Sequence, residues 1–228
     1  MSTPKEYEPV PETAPIASSA LLSRATTTRI VTGWEVPDGR ATGDVAIGDL
    51  SVLTKVLVKA PFLPTIDAAL GTRFGRAVWD GDRLVTGAAP GEWLVLAPVG
   101  SAAHTAARYR AALTAVTEQL TTVMDLTHGR ALMRVSGEAT LPVLRRLTAL
   151  DLDDRFVPHG SALRTSVARV VTDVVRDDVD ERPSYLLHCE RSSGRYLLES
   201  LLAAGADFGA QIDSRTTSWP DHRPAAAN

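Results

Sequence analysis

Cysteine, lysine and asparagine are almost missing from this chain of 228 residues. Cys189 stands alone, so no internal disulfide and no thiolate zinc cluster can form. Lysine occurs only as Lys5, Lys55 and Lys59, which leaves arginine to supply most of the 24 basic residues. An arginine-rich surface suits bidentate carboxylate pairing at interfaces, and a high-GC genome explains the bias equally well. Asn228 is the sole asparagine and closes the sequence, so no N-glycosylation acceptor is present. The start also lacks a positively charged stretch followed by an apolar one, and a cytoplasmic location is expected. No apolar run approaches the ~20 residues that a bilayer-spanning helix needs, so no membrane association is expected. The net charge of -3 mixes 24 basic with 27 acidic residues and leaves no basic stripe, which argues against nucleic-acid binding.

What is present suits a globular protein: 44% of residues are hydrophobic and 22% charged, enough to build one large domain or two small ones around a real core. Residues 1–19 carry Pro4, Pro9, Pro11 and Pro15 among polar residues and read as a flexible N-terminal arm. Residues 214–228, with Pro220, Pro224 and three alanines, read as a flexible C-terminal tail. Between them, TKVLVKA (54–60) reads as a strand ending at Pro61, and a short helix follows with Thr65 as N-cap and Gly71 at its end. Asp80-Gly81-Asp82 separates two apolar runs as a hairpin turn, and WLVLA (93–97) reads as a buried strand. Ala106, Tyr109, Leu113, Val116 and Leu120 form one stripe of a long helix.

From Met124 the pattern is β-α-β-β-α. The helix at TLPVLRRL has Thr140 as its cap, and one long strand is expected over 163–175. YLLHC forms the next strand, and a last helix shows Leu197, Leu198, Leu201 and Leu202 on one side. A short strand near 207–212 completes a split β-α-β, or ferredoxin-like, unit. The expected fold is therefore α+β, with two small lobes of antiparallel sheet covered by helices, a first lobe over 20–121 and a second over 122–213.

SSALLSRA, APFLPT, GAAPGEWLVLAP, DLTHGRALMRVSG, LDLDDRFVPHGSALRTSVARV and SGRYLLESL, in that order, resemble the sarcosine oxidase gamma subunit family. The resemblance covers about Ala17 to Ile212, omits both tails and residues 40–48, and is most specific from DLTHGR to ALRTSVARV. DLTHGRALMRVSGEAT is also similar to the start of folate-dependent aminomethyltransferases of the glycine cleavage system, which implies a lobe of that fold. The resemblance implies a non-catalytic subunit of a heterotetramer that demethylates sarcosine oxidatively to glycine and passes the one-carbon unit to tetrahydrofolate. It implies alpha, beta and delta subunits as partners, with FAD, FMN, NAD, tetrahydrofolate and zinc all held by those partners and none by this chain. The alternative is a stand-alone folate-binding enzyme or regulatory module.

The residues themselves suggest no catalytic set. Cys189 beside His188, with Asp125 and His128 elsewhere, could supply a thiol, a base and an orienting carboxylate, but neighbouring strand residues face opposite ways and Cys189 reads as a small buried hydrophobe. His104, His128, His159, His188 and His222 show no i,i+4 pairing for a metal. GAAPGEW precedes a strand instead of opening a helix, so it reads as a tight turn and not a phosphate cradle. The aspartates of LDLDDRF lack the glycine and distal glutamate of a calcium loop, and the four tryptophans show no stacking platform. Asp125, His128 and Arg130 are the only site candidates, as turn-fixing or interface residues; no catalytic, cofactor-binding or metal residue is expected.

Overall fold

The computed structural model describes residues 16–23, 27–180, 182–217 and 219. The first half contains β1 (Ala17–Ser18), β2 (Thr28–Val31), β3 (Trp34–Pro37), β4 (Ala46–Asp49), β5 (Thr54–Lys59), α1 (Pro64–Leu70), β6 (Ala77–Asp80), β7 (Arg83–Ala89), β8 (Glu92–Ala97), α2 (Ala102–Thr114) and β9 (Thr122–Asp125). The second half contains β10 (Arg130–Ser136), α3 (Thr140–Arg145), β11 (Ala162–Val167), β12 (Val170–Arg176), β13 (Ser184–Glu190), α4 (Gly194–Ala204) and β14 (Gln211–Ile212). These strands make a five-stranded sheet in the order β6-β7-β8-β5-β9, a six-stranded sheet in the order β11-β12-β13-β10-β4-β14, and a small sheet β1-β3-β2. The fold is α+β, as the alternation of periods suggests.

Both large sheets follow one plan. In the five-stranded sheet β5 and β8 lie side by side, flanked by β9 and β7, which is the arrangement of a split β-α-β unit with β6 added at the edge. In the six-stranded sheet β10 and β13 take the central places, but β4 separates β10 from the short closing strand β14. The first half, which looks the less regular in sequence, is thus the uninterrupted unit.

The faces explain the composition of the strands. Trp93 and Val95 of β8 pack under Ile66 and Leu70 of α1 and Ala106, Tyr109 and Leu113 of α2. Leu94 and Leu96 point the other way and meet Leu132, Ala162, Val175 and Leu186 of the second sheet. On that sheet's far side, Met133, Val135, Tyr185 and Leu187 pack against Val143 and Leu144 of α3 and Leu197 and Leu201 of α4. The result is four layers, helices on sheet on sheet on helices, so the central strands of each sheet are buried on both faces. Central strands buried on two faces read as continuous apolar runs, as WLVLA and YLLHC do.

A buried polar network in the layer between the sheets joins one sheet to the other. The Trp79 Nε1–H on β6 donates to Asp177 Oδ1 at 2.9 Å, and Arg134 on β10 donates to Asp177 Oδ2 at 2.7 Å, to Asp177 O at 3.0 Å and to Ser184 Oγ at 2.8 Å.

Several expectations are corrected. Residue 121 does not part the lobes: β9 lies beyond it yet pairs with β5, and β4 lies before it yet pairs with β10. Within the expected arm, Ala17 and Ser18 pair in parallel with β3 and Ser19 is buried; residues 1–15 lie outside the described part. Of the expected tail, Ser214–Thr217 form a 3-10 turn, and Trp219 packs on Trp79 with ring centroids 4.7 Å apart. The strand expected over 163–175 is a hairpin, β11 and β12, turning at Ala168 and Arg169 with φ of 49° and 67°. The stripe of α2 ends early, at Thr114, and Leu120 is 91% exposed. Pro64 opens α1 with Leu63 as its N-cap, in place of Thr65, while Gly71 closes it at φ 74°. Thr140 is the first residue of α3 and not its cap.

Leu186 is buried in the layer between the sheets. Leu186→Ala should cost about 2–5 kcal/mol, a cavity penalty read from urea unfolding monitored by tryptophan fluorescence.

Candidate functional site

DLTHGR, residues 125–130, joins β9 of one sheet to β10 of the other. It is stitched down by its backbone: Leu126 N–H donates to Lys55 O at 2.8 Å, Gly129 N–H to Leu126 O at 2.9 Å, and Arg191 N–H to Gly129 O at 3.0 Å. The Asp125 carboxylate accepts from Thr127 N–H at 2.8 Å, a local aspartate turn. The His128 ring stacks on Trp34 of β3 at 4.5 Å and 11°. Arg130 turns toward the layer between the sheets and pairs with Glu190. The three candidate residues thus share a loop but diverge, and they converge on no common point.

Beneath the loop lies a residue that sequence reasoning passed over. Lys55, one of the three lysines, is fully buried and donates to three carbonyls: Ser51 O at 2.7 Å, Leu53 O at 2.9 Å and Thr127 O at 3.2 Å. Three acceptors match the three donors of an ammonium. Burial still lowers its pKa to about 7, against the pull of the Asp49 and Asp125 carboxylates. Asp49 is itself buried, accepting from the Ser19 hydroxyl and from Ser51 N–H at 2.8 Å, and burial pushes its carboxyl above the usual range. This cage holds the start of the DLTHGR loop in place.

Between the sheet edges a cleft of about 230 Å³ is lined by Lys59, Glu92, Arg130, Arg164, Asp173 and His188, among others. Arg164 grips Asp173 with two bonds, 2.6 and 3.2 Å, and reaches Glu92 at 2.9 Å. Lys59 sits 2.6 Å from the same Glu92 carboxylate. His188 is buried with Nδ1 3.4 Å from Asp173 Oδ2, and burial holds its pKa below the ordinary value, so the ring is neutral at pH 7. Burial raises the Asp173 pKa, but the His188 and Arg164 contacts outweigh it and the carboxyl titrates at about 2. With the ring neutral, Arg164 is the charge that holds the carboxylate.

Chemically this cleft is a closed set of mutual ion pairs. The hydroxyl of Thr86, which lines a narrow pocket that shares Asp173 and His188 with the cleft, donates to Leu94 O at 3.2 Å and is not poised beside a base. Cys189 faces the opposite side of β13, in the core under α4, and burial raises its thiol pKa to about 11. The structure therefore does not bring Cys189, His188, Asp125 and His128 together. His159 Nδ1 accepts from Asp178 N–H at 3.0 Å, and His222 lies outside the described residues. No cluster of three metal-ligating side chains occurs among the described residues. GAAPGEW holds the two-residue turn Pro90-Gly91 between β7 and β8, with Gly91 at φ 69°. In LDLDDRF, Asp151 and Asp153 accept from backbone N–H groups two residues on, and Asp154 pairs with Arg176. Trp34 does stack, on His128, and Trp79 meets Trp219 at a tilt of 46°; both contacts join segments far apart in sequence and so escape a reading of local spacing. No helix among the described residues is long and apolar enough to cross a membrane.

Residues 60–207 match the model of the sarcosine oxidase, gamma subunit family; SSALLSRA lies before that range. Comparison with curated proteins finds no match. Among solved structures, the heterotetrameric sarcosine oxidase from Corynebacterium sp. U-96 in complex with pyrrole 2-carboxylate is similar with a TM-score of 0.62 at 22% identity, over 75% of this chain and 90% of that one. The glycine cleavage system aminomethyltransferase T from Bartonella henselae is similar with a TM-score of 0.62 at 17% identity, over 84% of this chain and 56% of that one. At these identities the likeness is one of fold, and the chain spans little more than half of the aminomethyltransferase.

Because the folded-state pKa of Asp173 lies below the ordinary 3.8, its contribution to stability is complete above about pH 4 and is lost as pH falls toward about 2. Asp173→Asn should remove about 2 kcal/mol of that acid dependence, seen as a smaller stability difference between pH 4.5 and pH 2 in urea titrations. Native Cys189 should stay unmodified by a thiol reagent at pH 8 and react only on unfolding, measured as thiol release in urea.

Proposed function

Because the chain belongs to the sarcosine oxidase, gamma subunit family, we propose that it is a structural subunit with no active site of its own. The observation that carries this reading is the polar cleft between the sheets, in which Lys59, Arg164, Glu92 and Asp173 satisfy one another, and Arg130 meets Glu190 at its edge. A catalytic centre needs a nucleophile, a base and free donors converging on one point. Here the thiol is turned away and the histidine is sealed behind Asp173.

On this reading the partners are the alpha, beta and delta subunits of a cytoplasmic heterotetramer that oxidises sarcosine to glycine and transfers the one-carbon unit to tetrahydrofolate. FAD, FMN, NAD, tetrahydrofolate and zinc belong to those partners. The residues of this chain fit none of these groups well: the glycine turn at 91 leads into a strand, so it offers no helix amides to a phosphate. Asp125 and His128, exposed on the loop that Lys55 holds, are interface residues together with Arg130. An obligate subunit contact buries upward of about 2,000 Å² in total, enough to hold a partner lobe around its cofactor.

Co-expression with the companion subunits should yield a complex that carries flavin absorbance, while the chain purified alone should show none. An isolated chain that quenches its tryptophan fluorescence on titration with tetrahydrofolate and turns over an N-methylated substrate would replace this reading with that of a stand-alone folate enzyme.

A further inference from the structure

The chain has four phenylalanines, and three of them stand exposed: Phe62 at 56%, Phe74 at 45% and Phe156 at 66%. Phe62 meets Phe74 edge to face, with ring centroids 6.1 Å apart. Phe74 and Phe156 are opposite lips of one open cleft of about 550 Å³, where the edges of the two large sheets meet. Small residues line it, Ala88 and Ala162 from the two sheets and Gly75 from the turn before β6, and they leave the volume unfilled. Exposed aromatic rings around a concave apolar floor are costly in water and are the usual composition of an anchor pocket at a protein interface.

Charge narrows the occupant. No carboxylate lines the cleft, and its one charged lining residue, Arg164, is already engaged with Asp173 and Glu92. The lips carry arginine: Arg73 is exposed beside Phe74, and the Arg155 guanidinium lies 5.6 Å from the Phe156 ring centroid while pairing with Asp153. A second copy of this chain docked through a two-fold axis would present the same lips, with Arg73 again and no carboxylate from the cleft lining to meet it. We propose that the cleft receives a segment of a companion subunit that inserts one large apolar side chain between Phe74 and Phe156 and sets a carboxylate against Arg73. The proposal rests on the structural-subunit reading and deepens it by naming the surface.

The test uses the full chain, affinity-tagged and co-expressed with its companion subunits, as wild type and as Phe74→Ser, Phe156→Ser and the double variant. Each replaces an exposed ring, so thermal unfolding of the variants should match wild type. Each single variant should recover companions at least about tenfold less efficiently per mole of chain, and the double variant none. In the wild-type complex, hydrogen exchange over 72–76 and 154–158 should slow relative to the free chain. Companion recovery by the variants equal to that of wild type, or unchanged exchange at those residues in the complex, overturns the docking proposal and leaves the subunit reading standing. A free chain that dimerises in sedimentation and becomes monomeric in the double variant also overturns it, because the occupant is then a second copy. A wild-type chain that recovers no companion overturns the subunit reading itself, a result separable from the others because it needs no substitution.

Discussion

Arg134 and Asp177 are 5% and 2% exposed, and the bond between them lies in the layer where two sheets are pressed together. Taking both charges out of water is expensive, and leaving either one unpaired there costs about 3–5 kcal/mol. The surroundings meet the demand: Arg134 also donates to a carbonyl and to Ser184, and Asp177 accepts from Trp79 of the opposite sheet. Hydrophobic burial alone would let two apolar sheet faces slide over one another. The bond from Trp79 on the facing sheet to the buried Asp177 carboxylate fixes one relative position. The fold's four layers follow from that position, since each sheet then has one face left to cover and a pair of helices to cover it.

The same logic accounts for the other polar groups that a search for chemistry would pick out. Lys55 looks like a candidate amine until its three carbonyl acceptors are seen, two from the turn that leads into β5 and one from DLTHGR. His188 and Asp173 look like a base and its orienting acid, but Arg164 and Glu92 complete the set from both sheets and leave no opening beside a nucleophile. Buried polarity in this molecule is used to hold one element against another.

The sequence carried the periods well and the long-range pairings poorly. TKVLVKA, WLVLA, YLLHC and the leucine stripe of α4 announce themselves because burial on one or two faces leaves a local signature. The turn at Ala168 and Arg169 stays hidden because neither residue is the glycine or asparagine that positive φ usually selects, so two strands read as one. Val116 and Leu120 continue a helical period past Thr114 although nothing covers them, and that is why α2 looks longer in sequence than it is. At the candidate site, Asp125, His128 and Arg130 could be found from their motif, whereas Lys55, Asp173 and Arg164 could not. Arg164 and Asp173 meet across the hidden hairpin turn, and Glu92 and Thr127, each 72 residues away in the chain, complete the sets around Arg164 and Lys55.

The exchange of strands between the halves has a consequence for how the chain reaches this state. The five-stranded sheet is contiguous in sequence and complete once residues 122–125 arrive, whereas β4, made before it, must wait for its two neighbours, β10 and β14. The six-stranded sheet can therefore close only after the whole of the five-stranded one has been made. Until synthesis nears its end, β4 is an unpaired edge exposed to neighbouring nascent chains, a stage at which a chaperone or an early-binding companion has most to protect.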